Sequence, residues 1–285
     1  MKSQLMIAAI AAACVFAPPL LARAAADGIP MKAQGSASIK PMDAYASGRA
    51  YSNWDGLYAG LNAGYGMGLA KVNDTSSFAC VFCPPFNDTV TQSSKLGLGG
   101  FVGGGQIGYN WRISPNLLFG LEEDFQWSDQ KASASYNANI TIVGINNTLG
   151  VTDNAKISWY ATTRARLGIF SNPDTLWYVT GGGAYGRTSL TTVVNPNFLG
   201  AGLPGSVGNF KTEKLGFVIG GGIETAVGHN VTAKIEYLYM DLGTVGGTIA
   251  MLGTCVGPNT CATGSTTSSA SITDHTVRAG INFHF

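Results

Sequence analysis

Ionisable residues recur at every second position inside several apolar stretches of this 285-residue chain. Successive side chains of a β-strand point to opposite faces, so these residues share one face of each strand. Buried charges must be paired, and four acids with four bases balance, which predicts an ion-pair network in an enclosed interior. The same groups could instead line a polar pathway for small solutes. The eight residues are Glu122, Asp124, Arg164, Arg166, Glu224, Lys234, Glu236 and Arg278.

Of the five cysteines, Cys14 lies in a predicted signal peptide described below, and the other four form two close pairs, Cys80 with Cys83 and Cys255 with Cys261. In an exported protein, an even count in close pairs predicts local structural disulfides. The first pair could instead be a redox pair or half of a zinc site. A redox pair usually opens a helix in a βαβ context, and a zinc site needs further ligands nearby. Neither condition is met, so disulfides are the prediction.

Two glycine runs, 103–108 and 181–186, match G-x-G-x-x-G. A dinucleotide site needs this motif between a strand and a helix, whereas both runs fall inside strand patterns, where glycine marks bends or close approach. The histidines are His229, His275 and His284, and the periodicity places no serine or acid against them. His275 could bind a metal or haem, but a lone histidine is more often solvated. We therefore predict no enzyme activity, no cofactor and no metal.

The first 26 residues have the pattern of a secretory signal peptide. A charge-free apolar run at 5–21 precedes the small residues Ala24 to Ala26, and cleavage is predicted before Asp27. Cleavage after Ala24 is an alternative. Residues 27–53 are polar and without clear periodicity, which predicts a flexible periplasmic segment ahead of the fold.

The composition is unusual for a soluble protein. Charged residues make up 12% of the chain, against about 25% ordinarily, and glycine accounts for 39 residues. After the signal, no stretch is long and apolar enough for a transmembrane helix. These features predict an exported β protein with an apolar exterior. The formal net charge of +1 gives no indication of a nucleic-acid partner.

The final stretch, 274–285, shows the strand pattern most clearly, because apolar residues alternate with polar ones to the terminal Phe285. Eight such strands can be counted. Tight turns are predicted at 114–116, 171–174 and 228–230, and long polar loops at about 68–95, 128–155, 191–210 and 243–271, the second with a possible hairpin at 140–145. Residues 54–285 therefore predict an all-β fold, an eight-stranded antiparallel up-and-down transmembrane barrel with long outer loops and short periplasmic turns.

A soluble lipocalin-like barrel is the alternative, with its continuous apolar face inside. The tryptophans favour the membrane barrel, because all five lie near strand ends, where aromatic girdles form at the two membrane interfaces. They are Trp54, Trp111, Trp127, Trp159 and Trp177.

The chain resembles the small porin-like outer-membrane barrels of alphaproteobacteria, which are related to the OmpA transmembrane domain and the opacity proteins. The matching stretches are 54–60 with 64–66, 120–122 with 124–126, 163–168, 178–182 and 278–285. The resemblance implies the outer membrane of a Gram-negative bacterium, with contact to its lipid and lipopolysaccharide. It implies insertion by the barrel-assembly machinery, which reads a last strand ending in phenylalanine, here Phe283 and Phe285. Some relatives are credited with binding haem; the first three loops contain no histidine, which argues against haem here.

These observations predict a structural and surface-interaction protein of the envelope, with outer loops open to host or phage ligands. The alternative is a narrow porin-like channel through the same interior.

Overall fold

The computed structural model describes residues 54–80, 87–142, 145–198, 201–202, 205–257 and 260–285. The predicted signal peptide and N-terminal segment lie outside this part of the chain. No helix in the described residues is long and apolar enough to cross a membrane. The described residues form ten strands: β1 Gly56–Cys80, β2 Asn87–Ser114, β3 Leu117–Ser128, β4 Lys131–Ile142, β5 Ile145–Asn172, β6 Thr175–Phe198, β7 Ala201–Gly202, β8 Ser206–Ala226, β9 Val231–Gly257 and β10 Thr260–His284.

The strands form one closed antiparallel ring. β4 continues β3 after a short interruption at Asp129 and Gln130, and both pair with β5. The ring then runs through β6, β8, β9 and β10, and β10 pairs with β1 to close it. β7 adds only two residues at the end of β6. Eight strand positions thus surround the interior, and the predicted up-and-down barrel is confirmed.

The three predicted tight turns are present at one end of the barrel. They join Ser114 to Leu117, Asn172 to Thr175, and Ala226 to Val231. Phe285 also lies at this end, where its amide donates a hydrogen bond to the carbonyl of Leu57 (3.0 Å). The short connections, the start of β1 and the end of β10 therefore all lie at the turn end.

The predicted long loops are wrong in their extent. The strands continue far past the apolar stretches and reach 21 to 28 residues in seven of the eight positions, with β3 and β4 sharing the eighth. Residues 191–198, 206–210, 243–257 and 260–271 are strand rather than loop. These segments contain many Ser, Thr and small residues. They lack the apolar alternation expected of a membrane strand, because they lie beyond the apolar band along the strand direction.

The outer surface changes character along the strands. Near the turn end it carries an exposed apolar band that includes Leu61, Phe101, Trp127, Leu215 and Ile281. Beyond that band most outward side chains are polar, with Val207 among the exceptions, and most apolar ones point inward. We call this second part the extension: residues 70–80, 87–98, 131–142, 145–157, 187–198, 206–214, 241–257 and 260–274. The strands thus turn their apolar side outward within the band and mostly inward within the extension, where β2 pairs with β4 only at Gly99 and Lys131 and the pairing of β8 with β9 ends at Phe217 and Asp241.

The tryptophans divide between the two surfaces. Trp111, Trp127 and Trp177 are exposed on the band, as girdle residues would be. Trp54 is the exception, because it is 1% exposed and lies inside the turn end, packed against Phe170 with ring centroids 5.3 Å apart. Its assignment to a girdle is wrong, since it precedes β1 and no strand periodicity fixes the direction of its side chain.

The glycine runs lie within β2 and β6, as predicted, and two glycines permit close packing inside the barrel. A Cβ atom on Gly104 would be 1.9 Å from the carbonyl oxygen of Phe125, and one on Gly182 would be 2.0 Å from that of Thr163. Neither position tolerates a side chain without movement of a neighbouring strand, so both glycines serve strand packing.

Inward apolar packing in the extension gives a testable difference between two valines. Val194 is fully buried and Val207 is 56% exposed on the outer surface. We expect Val194→Ala to lower the free energy of unfolding by about 2 kcal/mol through lost burial and a cavity. The matched control Val207→Ala should change it little. Urea unfolding of the lipid-refolded barrel measures both, and equal effects would contradict inward apolar packing in the extension.

Candidate functional site

The structure gathers all eight predicted ionisable residues into one cluster inside the band, which we call the charge layer. Each is at most 5% exposed. They come from β3, β5, β8, β9 and β10, where they occupy alternate positions that point inward. Strand alternation thus positions each side chain, and ring closure brings the five strands to a common interior.

Glu122 lies at the centre of the charge layer. It accepts hydrogen bonds from Lys234 Nζ at 2.9 and 3.0 Å, from the Tyr58 hydroxyl at 2.7 Å, and from Arg164. Arg166 and Arg278 lie 3.8 Å from its carboxylate. One carboxylate therefore faces all four cations, which compensates the cost of burying its charge.

Two arginines bridge the other central acids. Arg164 donates to Asp124 Oδ2 at 2.8 Å and to Glu236 Oε1 at 2.9 Å. Arg278 donates to the same Asp124 oxygen at 2.8 Å and to Glu236 Oε2 at 2.7 Å. The planar guanidinium suits such two-partner contacts. Since each acid is shared, removal of one group leaves at least two buried partners incompletely paired.

A second group lies nearer the turn end. Glu224 accepts from Arg166 at 2.9 Å and from Asn282 at 2.7 Å, and also from Thr232. His284 Nε2 lies 3.8 Å from the same carboxylate. Arg166 additionally stacks its guanidinium over the ring of Tyr58 at 4.8 Å. Glu224 and Arg166 have fewer ionic partners than the central residues, and polar and aromatic neighbours therefore complete their contacts.

Apolar layers cover the charge layer on both sides. Toward the turns, a lower apolar layer consists of Trp54, Leu118, Leu176 and Tyr178. Toward the extension, an upper apolar layer fills the ring. Its buried members include Val102, Ile157, Tyr160, Leu190, Val218, Leu238, Met240, Leu242 and Ile272. The charges are thus enclosed along the axis as well as by the wall.

A second buried polar group, in the extension, escaped the sequence analysis. Asp74 and Asp153 point inward and are at most 2% exposed. Tyr136 donates to Asp74 at 2.7 Å, and Thr192 donates to Asp153 at 2.7 Å. Burial, with the nearby charge of Asp74, raises the pKa of the Asp153 carboxyl to about 7. These residues lie in segments expected to be loops, so no strand alternation was available to bring them together.

The remaining predicted residues are elsewhere. Phe283 and Phe285 project from the outer surface of the band at the turn end. The backbones of Cys255 and Cys261 are register partners across β9 and β10, but their side chains and that of Cys80 lie outside the described part, as does all of Cys83. The predicted disulfides therefore remain predictions.

The histidines are dispersed. His229 lies in the exposed turn before β9, and His284 is buried beside the charge layer. His275 lies on the outer surface, where its Nδ1 is 2.6 Å from the Tyr237 hydroxyl. Among the described residues, no group of three or more His, Cys, Asp or Glu side chains is arranged to hold a metal ion.

An apolar outer band, a closed ring of alternating strands and a paired ionic interior define an outer-membrane β-barrel. Residues 33–285 match the family model described as the outer membrane protein beta-barrel domain, and the chain belongs to that family.

The relatives are outer-membrane proteins of alphaproteobacteria. The chain is 34% identical over 235 residues to a 31 kDa outer-membrane immunogenic protein of Brucella melitensis biotype 1, covering 82% of this chain and 84% of that protein. It is 25% identical over 189 residues to a 22 kDa outer membrane protein of Rhizobium leguminosarum bv. viciae, covering 66% and 64%. The predicted family and the location in the outer membrane are therefore confirmed.

Two solved structures were matched over most of this chain. OprG of Pseudomonas aeruginosa is 11% identical, covers 81% of this chain and 97% of its own, and has a TM-score of 0.39. Ail of Yersinia pestis is 12% identical, covers 80% and 99%, and has a TM-score of 0.31.

Breaking one contact in the charge layer has a predictable cost. Asp124→Asn removes the anion shared by Arg164 and Arg278, and we expect a loss of about 3–5 kcal/mol in the free energy of unfolding. The matched control is Asp55→Asn, because Asp55 makes a solvent-exposed ion pair with Arg112 at 3.9 Å. That change should cost under about 1 kcal/mol. Urea unfolding in lipid vesicles checks both; similar costs would contradict the importance of the charge layer.

The raised pKa of Asp153 predicts a pH dependence confined to the extension. The folded barrel favours the protonated carboxyl, so its contribution to stability is lost as pH rises from about 4 to about 7. Hydrogen exchange of peptides from 145–157, corrected for intrinsic rates, should show more opening at pH 8 than at pH 5. Asp153→Asn should abolish the difference, while Asp129→Asn, an exposed control, should preserve it. Persistence of the pH effect in Asp153→Asn would refute this assignment.

Proposed function

We propose that this protein is a non-catalytic barrel whose charge layer plugs the interior, so that it supports the envelope and displays its extension at the cell surface. The observation that carries this proposal is the enclosure of eight mutually paired charges between two apolar layers. A hydrated solute would have to break ion pairs and then cross the upper apolar layer. Both steps oppose transport.

The pairing also argues against catalysis within the interior. General acid–base chemistry needs an ionisable group within reach of a substrate proton. In the charge layer, the carboxylates are engaged by arginine, lysine, tyrosine or threonine donors, and the cluster is buried. The ionic groups therefore have a structural role, because they connect strands on opposite sides of the interior, from β3 to β10.

The extension provides the surface for interaction. Its outward residues are mostly polar, and its hairpins project beyond the apolar band. The Brucella relative is named an immunogenic protein, which supports accessibility of the corresponding region here to host or phage ligands. For biogenesis, the exposed Phe283 and Phe285 at the end of β10 would form the signal read by the barrel-insertion machinery.

A narrow channel is the competing function, because some buried polar atoms, such as those of the Gln126 amide, have no partner among the described residues. Single-channel recording of the refolded barrel in a planar bilayer separates the two functions. A plugged barrel should insert without conductance steps. Reproducible openings that change with Glu122→Gln or Arg164→Gln would overturn the plug and make the charge layer part of a conduction pathway.

Insertion needs its own check, since a barrel that failed to enter the bilayer would also give no current. Protease protection of the band, together with cleavage in the extension, would establish insertion in the same preparation. A conducting porin of known activity, reconstituted in parallel, controls for the bilayer.

A further inference from the structure

Two pairs of lysines stand directly opposite each other on the outer surface of the extension. Lys71 on β1 is the register partner of Lys95 on β2, and Lys131 on β4 is the register partner of Lys156 on β5. All four side chains are exposed. Like charges directly opposite in an antiparallel pair destabilise the sheet, so each pair has an electrostatic cost in the isolated protein.

Acids of the described outer surface do not compensate these pairs. No ion pair joins any of the four lysines to a described residue; the ion pairs outside the charge layer are Arg112 with Asp55 and Arg187 with Glu213. Asp129 lies on the same surface, between Trp127 and Lys131 in the chain. It forms no ion pair with Lys131 or with Lys156. The two lysine pairs therefore remain sites of positive charge that an external anion can occupy.

The first pair lies at the boundary of the apolar band. Directly toward the turns is the register pair Leu69 and Gly97. In the other direction, the outward side chains of β1 and β2 are polar as far as Ser77 and Thr89. Directly away from the turns, Asn73 accepts a hydrogen bond from Ser93 at 2.7 Å. Along this hairpin, apolar surface, paired cations and then amide and hydroxyl groups follow in order.

The second pair repeats this order on neighbouring strands. Trp127 and Trp159 are register partners on the band, and Lys131 and Lys156 lie beyond them. Farther out, the hydroxyls of Ser135 and Thr152 are hydrogen-bonded at 2.9 Å. The order of apolar, cationic and hydroxyl-rich surfaces therefore occurs twice around the barrel.

We propose that the two lysine pairs bind the phosphate groups of a phosphorylated glycolipid in the outer leaflet. In such a lipid, acyl chains, phosphates and sugars follow in the same order as the three surfaces. Each phosphate bridges the two ammonium groups of a pair and replaces their repulsion with charge-assisted hydrogen bonds. The proposal depends on the outer-membrane location and is independent of whether the charge layer conducts.

Binding of purified lipid A tests this proposal. The barrel, folded in a neutral detergent, is titrated with lipid A that carries both phosphates and with its dephosphorylated form. We expect Lys71→Gln with Lys95→Gln to weaken binding of the phosphorylated form about tenfold, and Lys131→Gln with Lys156→Gln to do the same. Lysine-to-arginine versions of each pair should retain binding. The dephosphorylated lipid should bind more weakly to the wild type and equally to all variants.

The matched control changes the same amount of charge elsewhere on the extension. Lys211 and Lys214 on β8 are exposed, and their register partners on β6 are Ser189 and Gly186, which carry no charge. The double glutamine variant at these positions should bind phosphorylated lipid A with nearly wild-type affinity. Equal weakening in this control would mean that general positive charge, rather than paired lysines, attracts the lipid, and would overturn the proposal.

Thermal unfolding supplies a second readout, in which the glutamine pairs should change the relative stability in opposite directions without and with the lipid. In neutral detergent without lipid, each glutamine pair should raise the unfolding temperature, because repulsion is relieved. With phosphorylated lipid A, the wild type should gain more stability than the variants. The proposal fails if the glutamine pairs bind phosphorylated lipid as the wild type does, or if a soluble sulfated polysaccharide binds these lysines and phosphorylated lipid A does not.

Discussion

Charge balance inside the band is the constraint on which the rest of the structure depends. An apolar exterior leaves a membrane barrel with polar residues inside, and a small ring has no space to solvate them freely. Four acids and four bases at fixed inward positions meet this constraint only in the observed register, because Glu122, Arg164 and Arg278 come from three different strands. A shift of one residue in any of those strands would turn a charge toward lipid.

The charge layer also explains why the two ends of the interior are apolar. An ion pair loses strength when water enters, since the effective dielectric constant rises. Trp54 and its neighbours exclude water from the turn end, and the upper apolar layer excludes it from the other. The extension thus contributes more than a surface, because its inward apolar residues preserve the environment in which the buried pairs are strong.

Sequence alternation predicted the parts of the fold for which a two-residue period was visible. It identified the eight inward charges and the three tight turns, because membrane strands have strongly different faces. It did not show the extension, where segments such as 263–271 are uniformly small and polar on both faces. Without strand assignments there, Asp74 and Asp153 could not be placed together, and the direction of Trp54 depended on packing rather than periodicity.

Closure of the ring joins the beginning of the described chain to its end. Pairing between β1 and β10 extends from Tyr58 with His284 to Cys80 with Ala262. While the chain is being made, β1 therefore has an unpaired edge that no nearby segment can satisfy, and open edges promote association with other chains. Such long-range pairing is also slow to form. The edge of β1 therefore stays open to association until the last strand is available.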